Sequence, residues 1–153
     1  MEVRLAQESD VDFLVHCAVT MAHETEGKNL EEAIVRPGIL HCLQDESLGC
    51  YYICERDGKP VGTTMVTYEM SIEVGGKIDW IQSVYVVPEA RKQGVFRALY
   101  QEIVKVSKSD PTSKCVRLYV ETENVNAQQV YKKLGMQELT EYDFDEIDTV
   151  LGH

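Results

Sequence analysis

Ser83-Val84-Tyr85-Val86-Val87-Pro88-Glu89-Ala90-Arg91-Lys92-Gln93-Gly94-Val95-Phe96-Arg97-Ala98-Leu99 carries an abrupt change of pattern. An apolar, β-branched run stops at Pro88. A basic turn containing Gly94 follows, and helical spacing begins at once with Val95 and Leu99. These residues predict a strand, a loop and a helix N-terminus. Arg91, Lys92 and Arg97 then stand beside backbone N–H groups that no helix can satisfy. The helix dipole and those N–H groups both favour an anion, so the junction suits a phosphate or pyrophosphate. An ordinary strand–helix turn with solvated cations would share the local pattern.

Working outward, the rest of the chain is acidic. It has 153 residues, with 15 basic and 26 acidic side chains and a net charge of −11. That length fits one domain over residues 1–153, able to bury roughly 70% of its unfolded surface without a disulfide or metal. The charge argues against nucleic acid, which wants a basic face, and against an anionic membrane surface. It suits a cationic small partner, although a solubilising surface would look the same. Cys17, Cys42, Cys50, Cys54 and Cys115 are odd in number and contain no Cys-x-x-Cys pair. They read as reduced, largely buried thiols of a cytoplasmic protein. Glu2, Arg4, Glu8 and Asp10 interrupt any early apolar segment, so no signal peptide is expected, and no run reaches the roughly 20 apolar residues of a membrane span.

Glu2 to Ala6 alternates and reads as a short strand. Ser9 with Asp12 resembles a capping box, opening a helix that carries Leu14, Val15 and Ala18 and ends near Met21 or His23. A short helix from Leu30 to Val35 is expected to stop before Pro37, with a separate turn or helix carrying Ile39, Leu40 and Leu43. Cys50–Glu55, Val61–Met70 and Lys77–Val87 read as three strands of an antiparallel meander, turned at Asp57-Gly58 and Gly75-Gly76. A helix from Gln93 to Ser107 and a loop from Lys108 to Ser113 lead to a strand, Cys115–Glu121. A crossover helix precedes that strand, so it should run parallel to its neighbour. Asn124–Leu134 is a last helix closed by Gly135, and Met136–Phe144 supplies one or two final strands. The sum is an α/β (α+β) fold: a mixed, mostly antiparallel sheet with helices on both faces.

Val86-x-Pro88-x-x-Arg91-x-x-Gly94-x-Phe96, followed by a helix, resembles the acyl-CoA loop of the GNAT superfamily of N-acetyltransferases. About thirty residues on, Asn124-x-x-Ala127-x-x-x-Tyr131-x-x-x-Gly135-Met136 resembles that superfamily's second signature. Order, spacing and the intervening strand agree over nearly the whole chain. The resemblance implies that N–H groups of Lys92, Gln93, Gly94, Val95, Phe96 and Arg97 surround the pyrophosphate of acetyl-CoA, with Arg91 and Lys92 adding charge. It implies that Val84, Tyr85 and Val86 pair with the pantetheine arm, that Asn124 and Ala127 contact the cofactor, and that Tyr131 is the general acid. Phe96 departs from the usual Gly or Ala, so its ring must turn away from the pyrophosphate. Gln82 stands where the family often has a glutamate, and an amide cannot act as a base.

The base therefore stays open among Glu24, Glu69, Glu73, Asp79 and His23, with Gln82 able to order a relaying water. Glu24 and Glu26 lie where family members bind substrate after the first helix, and Glu69 is a further substrate-side carboxylate. No cluster has metal-ligand spacing, so no metal is expected. Ser83 and the cysteines lack a recognisable base partner, which favours direct attack in a ternary complex over an acyl-enzyme. The reading is acetyl transfer to a primary amine, foremost a polyamine, diamine or lysine-like compound. A protein amine, or a non-catalytic acyl-CoA-binding sensor or interaction module, is the alternative. Exposed strand edges allow a homodimer.

Overall fold

A computed structural model describes residues 1–139. Two compact units divide the chain, Met1–Tyr119 and Val120–His153. The first holds a five-stranded sheet in the order β1-β2-β3-β4-β5. β1 (Glu2–Leu5), β2 (Gly49–Arg56), β3 (Lys59–Ser71) and β4 (Gly76–Val86) pair antiparallel in sequence, and β5 (Ser113–Arg117) joins β4 in parallel. The expected meander and the parallel crossover are both present. The β2–β3 hairpin turns through Asp57 and Gly58 with φ of 53° and 75°, the two left-handed positions of a tight two-residue turn.

Alternation along the strands sends apolar side chains to both faces. Tyr52, Cys54, Val66 and Ile81 meet Val95, Leu99 and Ile103 of α3 (Val95–Ser109) on one face. On the other, Ile53 meets Leu14 and Val15 of α1 (Val11–Glu26) and Ile39 of α2 (Glu32–Gln44). Helices thus cover both faces, as the sequence patterning requires. Gly62 lets α3 come close: a Cβ there would lie 2.5 Å from Val95 Cγ1.

Several local expectations are corrected. Ser9 and Asp12 form no capping box. Asp10 stands at the N-cap position of α1 without a side-chain cap bond, and its carboxylate closes the short turn Glu8–Asp10 before the helix. Asp10 Oδ2 accepts the Gln7 N–H at 2.7 Å, and its two oxygens accept from the Arg4 guanidinium at 2.8 and 2.9 Å. α1 continues past His23 to Glu26, where Gly27 closes it at φ 63°. The break expected before Pro37 is absent. α2 runs straight through Pro37, because burying Ile39 and Cys42 offsets the one backbone hydrogen bond a proline forfeits. α3 starts at Val95 and ends at Ser109, later than expected at both ends, so the loop after it is short. β5 spans Ser113–Arg117, and residues 118–121 are not strand.

In the second unit α4 (Val125–Lys133) is capped by Asn124, whose Oδ1 accepts the Ala127 N–H at 3.2 Å. It closes as expected at Gly135. The Gly135 N–H donates to Lys132 and the Met136 N–H to Tyr131, a Schellman pair with Gly135 at φ 94°. Residues 136–139 are not strand, and the remainder of the expected Met136–Phe144 strands lies outside the described residues.

Candidate active site

β4 contains a bulge that organises everything around it. Thr63 pairs with Tyr85 and Met65 with Gln82, so Ser83 and Val84 together oppose Thr64. Ser83 adopts φ 53°, and the buried Thr64 hydroxyl donates to the Gln82 carbonyl at 2.8 Å. The bulge bends the strand where β5 stops accompanying it. Pairing with β5 covers only Lys77–Trp80 of β4. Beyond it, the β4 edge facing away from β3 has no strand partner among the described residues. The Val87 N–H donates to Val61 of β3 at 2.9 Å, so alternation turns the Val86 N–H and C=O, and those of Val84, toward the open edge. An extended amide-bearing chain can pair there as an added strand.

The loop that follows turns sharply. Lys92 and Gly94 take φ of 61° and 83°, which curls the chain before α3 begins. The Ala98 N–H donates to the Gly94 carbonyl at 3.0 Å. The N–H groups of Lys92, Gln93, Gly94, Val95 and Arg97 carry no backbone partner among the described residues. Such a row of main-chain donors at a helix N-terminus fits a diphosphate. Gln93 anchors the loop by accepting from Arg56 and donating to the Glu89 carbonyl at 3.0 Å. Lys92 and Arg97 are exposed, without an ion-pair partner among the described residues. Val95 is buried against the sheet, and Phe96 stacks on Tyr100 and packs on the same core. The phenylalanine ring is therefore engaged along the helix, as the departure at this position demands.

Arg91 is placed differently from the expectation of a charge beside the pyrophosphate. Its Nε donates to the Val86 carbonyl at 2.9 Å and its Nη2 to Glu24 Oε2 at 3.0 Å, and the guanidinium lies 5.6 Å from the Tyr85 ring centre. The structure thus joins Glu24, Tyr85, Val86 and Arg91 into one cluster between the end of α1 and the end of β4. Gln82 donates to Thr67 on the face that α1 and α2 cover, with Trp80 and Glu69 further along that face. Glu26 pairs instead with Lys28 at 2.9 Å, just past α1. His23 and Glu73 are exposed. Asp79 lies on the opposite, α3 face, where it accepts from Ser107 at 2.6 Å and Ser113 at 2.9 Å. That placement removes it from the set of groups facing Gln82.

In the second unit Tyr131 is half-buried, and desolvation holds its phenol above the ordinary value near 10. A raised pKa keeps the hydroxyl protonated and able to donate. Asn124 spends its side-chain oxygen on the cap of α4, one turn before Tyr131. Ala127 is half-buried on that helix. Among the described residues no group of His, Cys, Asp and Glu could hold a metal ion, and no helix is long and apolar enough to cross a membrane. Sequence reasoning missed Gly62, the bulge at Ser83, and the pairing of Trp80 with Glu69. Each depends on strand register, which single residues do not reveal.

Residues 15–136 match the model of the acetyltransferase (GNAT) family. A thialysine N-epsilon-acetyltransferase of Sus scrofa is 28% identical over 152 residues, covering 91% of this chain and 85% of that protein. The crystal structure of a possible acetyltransferase from Clostridium difficile 630 superposes with a TM-score of 0.88 at 37% identity, covering 98% of both chains. A structure from Clostridium acetobutylicum described as a predicted acetyltransferase with acetyl-CoA shares the fold, with a TM-score of 0.75, 18% identity and 95% of each chain covered. Sheet order, the opened β4 edge, the amide-lined loop and the matched model agree, and this chain belongs to the GNAT family of N-acetyltransferases.

Proposed function

We propose that the protein transfers the acetyl group of acetyl-CoA to the primary amine of a small cationic acceptor: a polyamine, a diamine or a lysine-like compound. The observation that carries the cofactor half is the row of N–H groups of Lys92, Gln93, Gly94, Val95 and Arg97, which have no backbone partner among the described residues, beside two exposed cations. Support for the acceptor half comes from the net charge of −11, from Glu24 and Glu69 near the β4 face, and from relatives named for acetylating an amine.

Transfer needs the thioester held, the amine neutral, the oxyanion stabilised and the thiolate protonated. The loop amides hold the diphosphate, and the open β4 edge at Val84 and Val86 receives the pantetheine amides. The Val86 N–H, pointing to that edge, is the oxyanion donor. Glu24 draws the ammonium toward β4, and the Gln82 amide, fixed by Thr67, orders a water that carries the amine proton away. The Tyr131 phenol donates to the departing sulfur. A free phenol near 10 is a weaker acid than a thiol near 8.5, so this donation stabilises developing charge more than it completes a transfer.

Thiol release from acetyl-CoA across a panel of polyamines, diamines, lysine analogues and protein N-termini tests the reading. Turnover with a small cationic amine supports it. Turnover confined to peptide or protein amines, or to neutral acceptors, rejects the acceptor assignment.

A further inference from the structure

Beyond Gln82, on the same face, three side chains form a group. Trp80 and Thr67 are register partners across β3 and β4, and Glu69 is two residues along β3 from Thr67. Trp80 Nε1 donates to Glu69 Oε1 at 2.9 Å. Trp80 pairs with Arg117 in β5, and Tyr119, two residues on, stacks on the indole at a centroid distance of 4.6 Å and 17° between planes. Tyr119 is 85% exposed. An exposed tyrosine laid flat on a tryptophan whose N–H orients a carboxylate presents its outer π-face beside one negative charge. That combination attracts an organic cation.

We infer that Trp80, Tyr119 and Glu69 form a seat for the distal ammonium of the acceptor, and that this seat selects extended polyamines over short diamines. The inference rests on the acetyl-transfer reading for its length argument. Val86 is six positions beyond Trp80, one of them absorbed by the bulge, so the seat lies roughly 16 Å along the strand from the oxyanion donor at about 3.3 Å per residue. A two-nitrogen chain of five carbons is too short to have its free amine at Val86 and its ammonium at Trp80, whereas a triamine or tetraamine spans most or all of that distance. The row between them, Gln82 and Thr67, is polar and uncharged. Arg117 is the like charge on this face. Its register beside Trp80 confines the bound ammonium to the Glu69 side.

Trp80 is the only tryptophan of the chain, so its emission reports the seat directly, without turnover. The wild-type protein, without cofactor, is titrated with spermidine, with 1,5-diaminopentane and with sodium chloride at matched ionic strength. Spermidine is expected to change the emission saturably, beyond the salt control. Glu69→Gln and Tyr119→Leu should each weaken that response about fivefold, the scale of one cation–π contact or one exposed ion pair, while Arg117→Ala should leave it equal or tighter. A salt-like response in the wild type, or unchanged spermidine binding in both Glu69→Gln and Tyr119→Leu, overturns the seat. In turnover, Tyr119→Leu should raise KM for spermidine about fivefold and leave both kcat and KM for 1,5-diaminopentane unchanged. Equal loss on both amines overturns the length selection. An emission response without any acetyl transfer would instead reject the proposed function and leave the cation seat standing.

Discussion

The Arg91 guanidinium spans from the Val86 carbonyl on β4 to the Glu24 carboxylate at the end of α1, at 2.9 and 3.0 Å. One side chain therefore links the loop after β4, the open edge of β4 and the end of α1. Both partners are close to half exposed, so the ion pair itself contributes little to stability, and its value is positional. Arg91→Glu sets like charges against Glu24 and loses the bond to the Val86 carbonyl, which displaces the β4 edge and the loop that follows it. Acetyl-CoA affinity should fall at least a hundredfold by calorimetry. Glu24→Gln should keep acetyl-CoA affinity within about threefold and raise the KM of the amine, because it removes the negative charge and leaves the loop amides in place.

Gly62 sets how closely the N-terminus of α3 approaches the sheet. In Gly62→Ala the new methyl meets Val95 Cγ1 at 2.5 Å and the Tyr85 carbonyl at 3.3 Å. Overpacking of this kind costs about 1–3 kcal/mol. Denaturant titration should show that loss. Because Val95 supplies one of the loop amides, acetyl-CoA binding should weaken more than the binding of an amine. A variant as stable as the wild type would show that the helix is free to shift.

Tyr131→Phe should leave acetyl-CoA binding intact and lower kcat about a hundredfold, the scale of one positioned proton donor. Burial raises the phenol pKa, so the protonated form persists beyond pH 10. The wild-type kcat should therefore show no alkaline decline from this group below about pH 10. A decline with an apparent value near 8 that disappears in Tyr131→Phe would remove the phenol from this role.

Asp10 fastens β1 to the start of α1 through Arg4, which also bonds Glu55 of β2. The Arg4 guanidinium holds the Asp10 carboxyl below its ordinary value. Its folded pKa lies below the unfolded one, so its contribution is complete above about pH 4 and fades as pH falls through the folded value. Asp10→Asn should cost about 1–2 kcal/mol at pH 7, with Arg4 partly in solvent, and the gap to the wild type should narrow below pH 4. Urea titrations at pH 7 and pH 3 measure it.

The parts legible in the sequence are those whose causes are local. The Val86–Pro88 stop and the Gly94 turn fix a strand, a loop and a helix start within a few residues. Asn124 and Gly135 fix both ends of α4 in the same way. The parts that escaped depend on distant partners. Pro37 sits inside α2 because Ile39 and Cys42 are buried, which is tertiary compensation for a local penalty. Asp10, not Ser9 with Asp12, organises the approach to α1 because Arg4 reaches it from β1. Arg91 is oriented by Glu24, 67 positions away, together with the Val86 carbonyl. The Trp80–Glu69–Tyr119 group exists only once the registers of β3, β4 and β5 are set.

The central claim is that main-chain amides after Pro88 bind the diphosphate of acetyl-CoA. Amide chemical shifts of ¹⁵N-labelled protein, followed through a coenzyme A titration, test it most directly. The largest downfield proton shifts should fall on Gln93, Gly94, Val95 and Arg97, with Val84 and Val86 following and α2 unchanged. Saturable binding of coenzyme A that leaves those loop amides unmoved would contradict it.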